Sequence, residues 1–85
     1  ANAEIHGLVS LGIESKVGAS VFIGTIREEN QPPGRIFLQN GVHVGAGTII
    51  ENACSKDLVI PEKTHIPARS YVINDGDGTP RIVGG

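Results

Sequence analysis

The sequence predicts an all-β fold, a left-handed parallel β-helix of about three triangular coils. The first observation behind this prediction is a repeat in which an aliphatic side chain returns at every sixth position. The repeat runs through three blocks of sequence: Ile5, Leu11, Val17 and Ile23; Leu38, Val44 and Ile50; Ile60, Ile66 and Val72. A period of six is typical of solenoids built from stacked β-coils.

The second observation concerns the residues between these aliphatic positions. Gly or Pro often follows the aliphatic residue, at Gly12, Gly18, Gly24, Gly45, Pro61 and Pro67. The fifth position is small or branched, at Val9, Ser15, Val21, Val42, Thr48, Cys54, Thr64 and Ser70. Gly and Pro suit a chain that bends sharply, and such corners are characteristic of the left-handed form. That hand departs from the usual right-handed crossover, so the corner residues alone predict it.

Two insertions interrupt the repeat and define the predicted loops. The interval from Ile23 to Leu38 is fifteen residues and that from Ile50 to Ile60 is ten, so the excesses over six are nine and four. Residues 27–35 form a charged, Pro- and Gly-containing segment, and residues 55–57 form a shorter polar one. Because the insertions are three units apart, both loops are predicted to leave the same corner, one coil apart.

The predicted domain is residues 1–73, followed by an irregular C-terminal tail at 74–85. We expect the tail to fold back over the last coil, because an open parallel edge promotes aggregation. Asp75-Gly76-Asp77-Gly78 resembles part of a calcium loop. It lacks the later Glu and the full ligand spacing of such a loop, so a turn is the favoured interpretation.

Composition narrows the classes of partner. A chain of 85 residues is marginally stable alone, and association with copies of itself is the usual remedy. The net charge is −2 and no basic run is present, so nucleic-acid binding is not expected. No apolar stretch approaches the roughly 20 residues of a membrane span.

The single Cys excludes an internal disulfide and fits a reducing compartment, which predicts a cytoplasmic protein. A first residue Ala1 without a Met suggests a fragment, a processed chain or a trimmed one.

The sixth position of each repeat should point outward, and every third unit should stack. One predicted column is Phe22, Ile49 and Tyr71. Contiguous exposed apolar surface usually marks a contact site, so this column predicts the interface of a homotrimer. The alternative is that a loop or the tail covers it.

A second predicted column is Lys16, His43 and His65. Two neighbouring imidazoles can share a metal ion. Zinc, however, needs three or four ligands, so this pair alone does not complete a zinc site. A third ligand would have to come from His6, which belongs to a different face, or from a neighbouring subunit. The alternative is a solvated surface pair.

The remaining nucleophile candidates have structural interpretations. Cys54 occupies an inward small position, which favours a buried, inert thiol. Ser15 and Ser70 fill corner positions, and no Ser-His-Asp constellation can be placed, so no catalytic residue is predicted.

With the repeats aligned, segments 44–50 and 58–73 resemble the final coils of gamma-class carbonic anhydrases and the related domain of the carboxysome-organising protein. Those chains have a similar Val-Gly-Ala-Gly unit, a short insertion and two proline-cornered repeats, as in Val44-Gly45-Ala46-Gly47, Ile60-Pro61 and Ile66-Pro67 here. The opening Ile5-His6-Gly7 is similar to a family segment that carries a zinc-binding His. The resemblance covers residues 1–73.

The resemblance implies a left-handed β-helix and a homotrimer. In the family, three His residues hold zinc between subunits, and His6 matches the last of them. The position that matches the second is Ala1, and the first would precede this chain. The resemblance therefore implies the fold and the trimer, while the zinc ligand set is incomplete.

Three functions follow as alternatives. The first is a non-catalytic trimeric assembly or binding module that needs no cofactor and has a protein partner. The second is a zinc-dependent lyase of the gamma carbonic anhydrase type, using His6, His43 and His65 across subunits. The third is a hexapeptide acyltransferase, in which acyl-CoA lies along an intersubunit groove and His43 or His65 acts as base.

Overall fold

The computed structural model describes residues 4–6, 9–25, 34–53 and 55–83, and within these ranges the chain forms strands and no helix. The strands are β1 (Glu4–His6), β2 (Val9–Leu11), β3 (Lys16–Val17), β4 (Phe22–Thr25), β5 (Ile36–Leu38), β6 (His43–Val44), β7 (Ile49–Asn52), β8 (Leu58–Ile60), β9 (His65–Ile66), β10 (Tyr71–Asn74) and β11 (Pro80–Val83). The predicted all-β class is confirmed. Among the described residues, no helix is long and apolar enough to cross a membrane.

The strands form three sheets that the chain visits in rotation. The first sheet has the order β1-β4-β7-β10-β11, the second β2-β5-β8 and the third β3-β6-β9. Through β10, each strand pairs in parallel with the strand three places along the chain. The predicted stacking registers are observed, because Ile23 pairs with Ile50 and Leu38 with Ile60. These parallel sheets are compatible with a β-helix-like fold.

The repeating aliphatic positions form the core over most of the chain. The buried apolar side chains are Val21, Ile23, Ile36, Leu38, Val42, Val44, Ile50, Leu58, Ile60, Ile66 and Val72. Each fully buried side chain of this kind stabilises the fold by roughly 1.5–3 kcal/mol relative to its exposed form. Strands of only two to four residues therefore depend on this shared core more than on their own hydrogen bonds.

The amino-terminal strands are an exception to this burial. Ile5 is 44% exposed and Leu11 is 47% exposed. Ile23 and Leu38, their partners on the next strands, are almost fully buried. The reason is that β1 and β2 each pair on one side only within the described chain, so one flank of their inward side chains has no neighbouring strand.

The corners depend on a hydroxyl at the fifth position of several repeats. Ser15 Oγ donates to the carbonyl of Gly12 over 2.6 Å. Ser70 Oγ likewise donates to the carbonyl of Pro67 over 2.7 Å, and Thr64 Oγ1 donates to that of Pro61 over 2.7 Å. The hydroxyl therefore closes the turn that begins three residues earlier. This geometry agrees with the structural role predicted for the two serines.

Glycine at the first corner position allows adjacent corners to stack. A Cβ on Gly18 would lie 2.7 Å from the backbone nitrogen of Ala46, and one on Gly45 would collide with the backbone nitrogen of Ala68. Pro61 and Pro67 occupy the same repeat position on the last strands of the second and third sheets. Within the described chain these sheets end at β8 and β9, so the repeat places no further corner after Pro61 and Pro67.

The two insertions join the same pair of sheets, as predicted. One connects β4 to β5 and the other connects β7 to β8, so both run from the first sheet to the second. Their described ends are in contact, since Arg35 N donates to Asp57 Oδ1 over 3.0 Å and Leu58 N donates to the Arg35 carbonyl over 2.7 Å. Residues 26–33 of the first loop lie outside the described residues, and so does Cys54 with its predicted inward thiol.

The prediction of an irregular tail is wrong for residues 80–83. β10 runs on through Asn74, and β11 pairs with it antiparallel, placing Tyr71 opposite Val83. The physical reason is that β10 would otherwise present an unpaired edge, and the intervening turn lets the tail pair with it as a hairpin. The prediction that the tail folds back over the last coil is confirmed. Residues 84–85 lie outside the described part.

Candidate functional site

The third sheet carries the predicted column of Lys16, His43 and His65. Lys16 pairs with His43, and His43 pairs with His65, across three adjacent parallel strands. All three residues are exposed, because each precedes the inward aliphatic residue of its strand and side chains alternate between the faces of a sheet. The column of residues predicted from the six-residue spacing is therefore present in the structure.

The two imidazoles of this column lie close together. The ring centroids of His43 and His65 are 6.1 Å apart, and the ring planes are inclined by 57°. The rings are thus neighbours without being stacked. Imidazole nitrogen binds zinc, copper and nickel, so the pair offers two suitable donors on one exposed face.

His6 belongs to a different sheet from this pair. It belongs to β1 and pairs with Gly24 of β4 in the first sheet, whereas the other two His residues lie on the third sheet. Its side chain lies outside the described part of the structure. Across the described residues, no group of three or more His, Cys, Asp or Glu side chains is placed to hold a metal ion. The predicted set of His6, His43 and His65 stays a prediction.

The first sheet carries the predicted apolar column. Phe22 pairs with Ile49, and Ile49 with Tyr71, on the adjacent strands β4, β7 and β10. Ile49 is 40% exposed and Tyr71 is 39% exposed, while Phe22 is half-buried. Val83 of β11, which is 44% exposed, extends the column by one strand. Sequence reasoning missed Val83 because the tail has no six-residue repeat from which to derive its register.

Tyr71 of the apolar column also makes a polar contact. Its hydroxyl donates to Oε2 of Glu51 over 3.1 Å. This hydrogen bond stabilises the neutral phenol, and with partial desolvation and the negative charge of Glu51 it raises the pKa of Tyr71 above 10.0. The Tyr71 ring therefore exposes an apolar face, while its hydroxyl already has a hydrogen-bond acceptor.

The second sheet has an outward column that sequence reasoning left unassigned. Ser10, Phe37 and Val59 lie in register on β2, β5 and β8. Phe37 and Val59 are half-buried, and Val59 N donates to the carbonyl of Gly78 over 3.2 Å. The segment before β11 thus reaches the second sheet as well as the first. The spacing rule that found the other two columns identifies this one as well.

A pair of buried asparagines organises the corner where both loops and the tail depart. Asn74 Nδ2 donates to Asn52 Oδ1 over 3.0 Å. Asn52 Nδ2 donates to the carbonyls of Arg35 and Lys56 over 3.0 and 2.9 Å. Buried amides require such partners, so the pair connects the described ends of both loops to the first sheet. The signal in the sequence was a recurring amide two residues after Ile50 and Val72.

The segment that resembles part of a calcium loop is a turn, as favoured. Asp75 Oδ1 accepts hydrogen bonds from the backbone N–H of Asp77 over 2.8 Å and of Thr79 over 3.3 Å. Asn74 Oδ1 accepts from the N–H of Gly76 over 2.8 Å and of Gly78 over 3.0 Å. Both glycines have positive φ, of 110° and 96°, where a side chain would be strained. These side-chain oxygens therefore satisfy the backbone of the turn.

Comparison with known proteins identifies no relative. The chain matches no protein-family model, no curated protein and no solved structure.

Proposed function

We propose that the chain is a left-handed parallel β-helix that forms a homotrimer and acts as an assembly or binding module. The observation that carries the proposal is the apolar column of Phe22, Ile49, Tyr71 and Val83 on the outer face of the first sheet. An exposed row of apolar side chains along a sheet suits a contact between subunits, whereas binding sites for small molecules are concave pockets.

The rotation of the chain through three sheets supports the three-sided coil. Each passage through the first, second and third sheets is followed by a return to the first, one strand further along. The corners stack as well, because Gly41 N donates to the carbonyl of Ile13 and Lys63 N donates to that of Asn40, both over 3.0 Å. The left hand is supported by the Gly and Pro corners and by the resemblance to gamma-class carbonic anhydrases.

A homotrimer is the assembly that the column and the resemblance favour together. A closed threefold ring buries one face of each subunit and leaves no free copy of that face. Each apolar side chain withdrawn from water contributes roughly 25 cal/mol per Å² of buried apolar area. A small chain gains proportionally more from this burial than a large one, since its own core is limited.

A non-catalytic role is supported by the way the candidate groups are distributed. The two exposed His residues of the third sheet lie on a different sheet from the apolar column, and His6 lies on the first sheet. The serines predicted at corners donate to backbone carbonyls. The described part of one chain thus assembles no complete set of catalytic groups, so binding or assembly is the function that fits it best.

Sedimentation equilibrium of the purified chain tests the proposal. The expected mass is that of three chains. Replacing Tyr71→Glu or Phe22→Glu should shift the mass toward one chain, because a buried carboxylate without a partner is costly. His65→Glu is the matched control, since it introduces the same charge at the same repeat position on the third sheet. An unchanged mass for both column variants would refute the interface.

The two enzymatic alternatives have separate tests. For the zinc lyase, CO2 hydration should appear on adding Zn²⁺ and should be lost in His6→Gln, since His6 is the one residue that matches a family ligand. For the acyltransferase, coenzyme A should raise the melting temperature of the chain, and His43→Gln or His65→Gln should abolish acyl transfer. If neither CO2 hydration nor stabilisation by coenzyme A is observed, both enzymatic alternatives are rejected and the proposal of a non-catalytic module stands.

A further inference from the structure

The outer face of the third sheet holds two potential metal donors whose backbone positions are set by the fold. His43 and His65 are paired residues of the adjacent parallel strands β6 and β9. Strands in a sheet lie about 4.8 Å apart, so the two side chains leave the backbone side by side and in the same direction. The core residues that follow them, Val44 and Ile66, are buried and also paired, which holds this register.

The separation of the rings is within reach of chelation. Two imidazole nitrogens bound to one zinc ion each lie about 2.0–2.1 Å from it. The present centroid distance of 6.1 Å must shorten by roughly 1 Å for both rings to reach one tetrahedral ion. Both side chains are exposed, so rotation about their side-chain bonds can supply this movement without disturbing the core.

The surroundings of the pair determine which ligand it would take. Imidazole favours divalent transition metals over Mg²⁺ or Ca²⁺, which prefer oxygen ligands. Lys16 pairs with His43 on the opposite side from His65, and its ammonium group disfavours a nearby cation. No third protein donor is grouped with the pair among the described residues, so water completes the coordination.

We propose that His43 and His65 form a two-residue chelating site for a divalent transition-metal ion on the outer face of the third sheet. The site needs neither His6 nor the trimer, because both donors come from one chain and from a sheet other than the one that carries the apolar column. It therefore does not depend on the proposed trimer, and it differs from the intersubunit zinc alternative because it does not use His6.

Calorimetric titration of the full chain with Zn²⁺ tests this proposal. The expected result is one ion per chain, with chemical-shift changes of both imidazoles in NMR spectra. His43→Gln and His65→Gln should each weaken binding by about tenfold or more, since each leaves a single protein ligand. Lys16→Ala should tighten binding by a few-fold, because it removes the adjacent positive charge.

Two further variants separate this site from the alternatives. His6→Gln should leave zinc affinity unchanged, and so should Tyr71→Glu, even if that variant no longer trimerises. If either variant abolishes binding, the metal is held between subunits and the two-residue site is refuted. Equal affinity of His43→Gln, His65→Gln and the native chain, or no binding by the native chain, would also overturn the proposal.

Discussion

The amide nitrogen of Asn74 lies 3.0 Å from the side-chain oxygen of Asn52, and both residues are buried on adjacent strands of the first sheet. Asn74 Nδ2 also donates to the Lys56 carbonyl over 3.1 Å, and Asn52 Nδ2 donates to the same carbonyl. The pair thus joins the sheet to the described ends of the loops that leave its corner.

The first prediction concerns this asparagine pair. Asn52→Ala removes the donor to the Arg35 and Lys56 carbonyls and the acceptor of Asn74, so we expect the free energy of unfolding to fall by about 2–3 kcal/mol. Asn40→Ala is the control, because it removes one exposed hydrogen bond, to Ile13 N, and should cost about 0.5–1 kcal/mol. Urea denaturation measures both losses, and equal losses would contradict a special role of the buried pair.

The second prediction compares two leucines of one inward column. Leu38 is 2% exposed and Leu11 is 47% exposed, although they pair on adjacent strands. Leu38→Ala should therefore cost about 2–5 kcal/mol, and Leu11→Ala less than half of that. The same denaturation experiment measures both. A matching cost at Leu11 would show that the open flank of β2 is covered in solution.

The third prediction concerns the stacked corners. Gly45→Ala should destabilise the chain by about 1–3 kcal/mol, because its Cβ collides with the backbone of the corner at Ala68. Pro67→Ala is the matched control at the same repeat position on the last strand, and should cost about 0.4–1 kcal/mol through the greater freedom of the unfolded chain. A tolerated Gly45→Ala would mean that the corners stack less closely than described.

The fourth prediction uses the single tyrosine of the chain as a titration signal. Ultraviolet absorbance should give a pKa for Tyr71 above 10.0, because the neutral hydroxyl donates to Glu51 and the carboxylate disfavours the phenolate. Glu51→Gln should lower this pKa. Since the folded value is the higher one, the contribution to stability is present below pH 10.0 and is lost as pH rises through the folded pKa. A midpoint unaffected by Glu51→Gln would contradict the hydrogen bond.

The six-residue period was sufficient to predict the positions of the outward columns. Residues at the same repeat position three units apart lie on adjacent strands. This rule gives the pairing of Phe22 with Ile49 and that of His43 with His65. The metal role of these His residues and the trimer contact of Phe22, Ile49 and Tyr71 remain predictions, because the first requires a bound metal ion and the second requires further subunits.

The tail could not be predicted in the same way. Residues 80–83 carry no repeat, and their pairing with β10 is antiparallel, so no periodic rule gives their register. What decides it is the unpaired edge of β10 together with the turn closed by Asp75. The extension of the apolar column to Val83 depends on the same event.

The six-residue repeat alone specifies which of the strands β1 to β10 are neighbours, which faces point inward and outward, and which pair of sheets both loops join. Each of these follows from a local period, and a period repeats whatever the distant parts of the chain do. The burial of Asn52 and Asn74, the exposure of Leu11 and the course of the tail are set instead by contacts between distant parts of the chain. These depend on which neighbour lies against a residue in space, and at the ends of a repeat array that neighbour is no longer specified by the repeat.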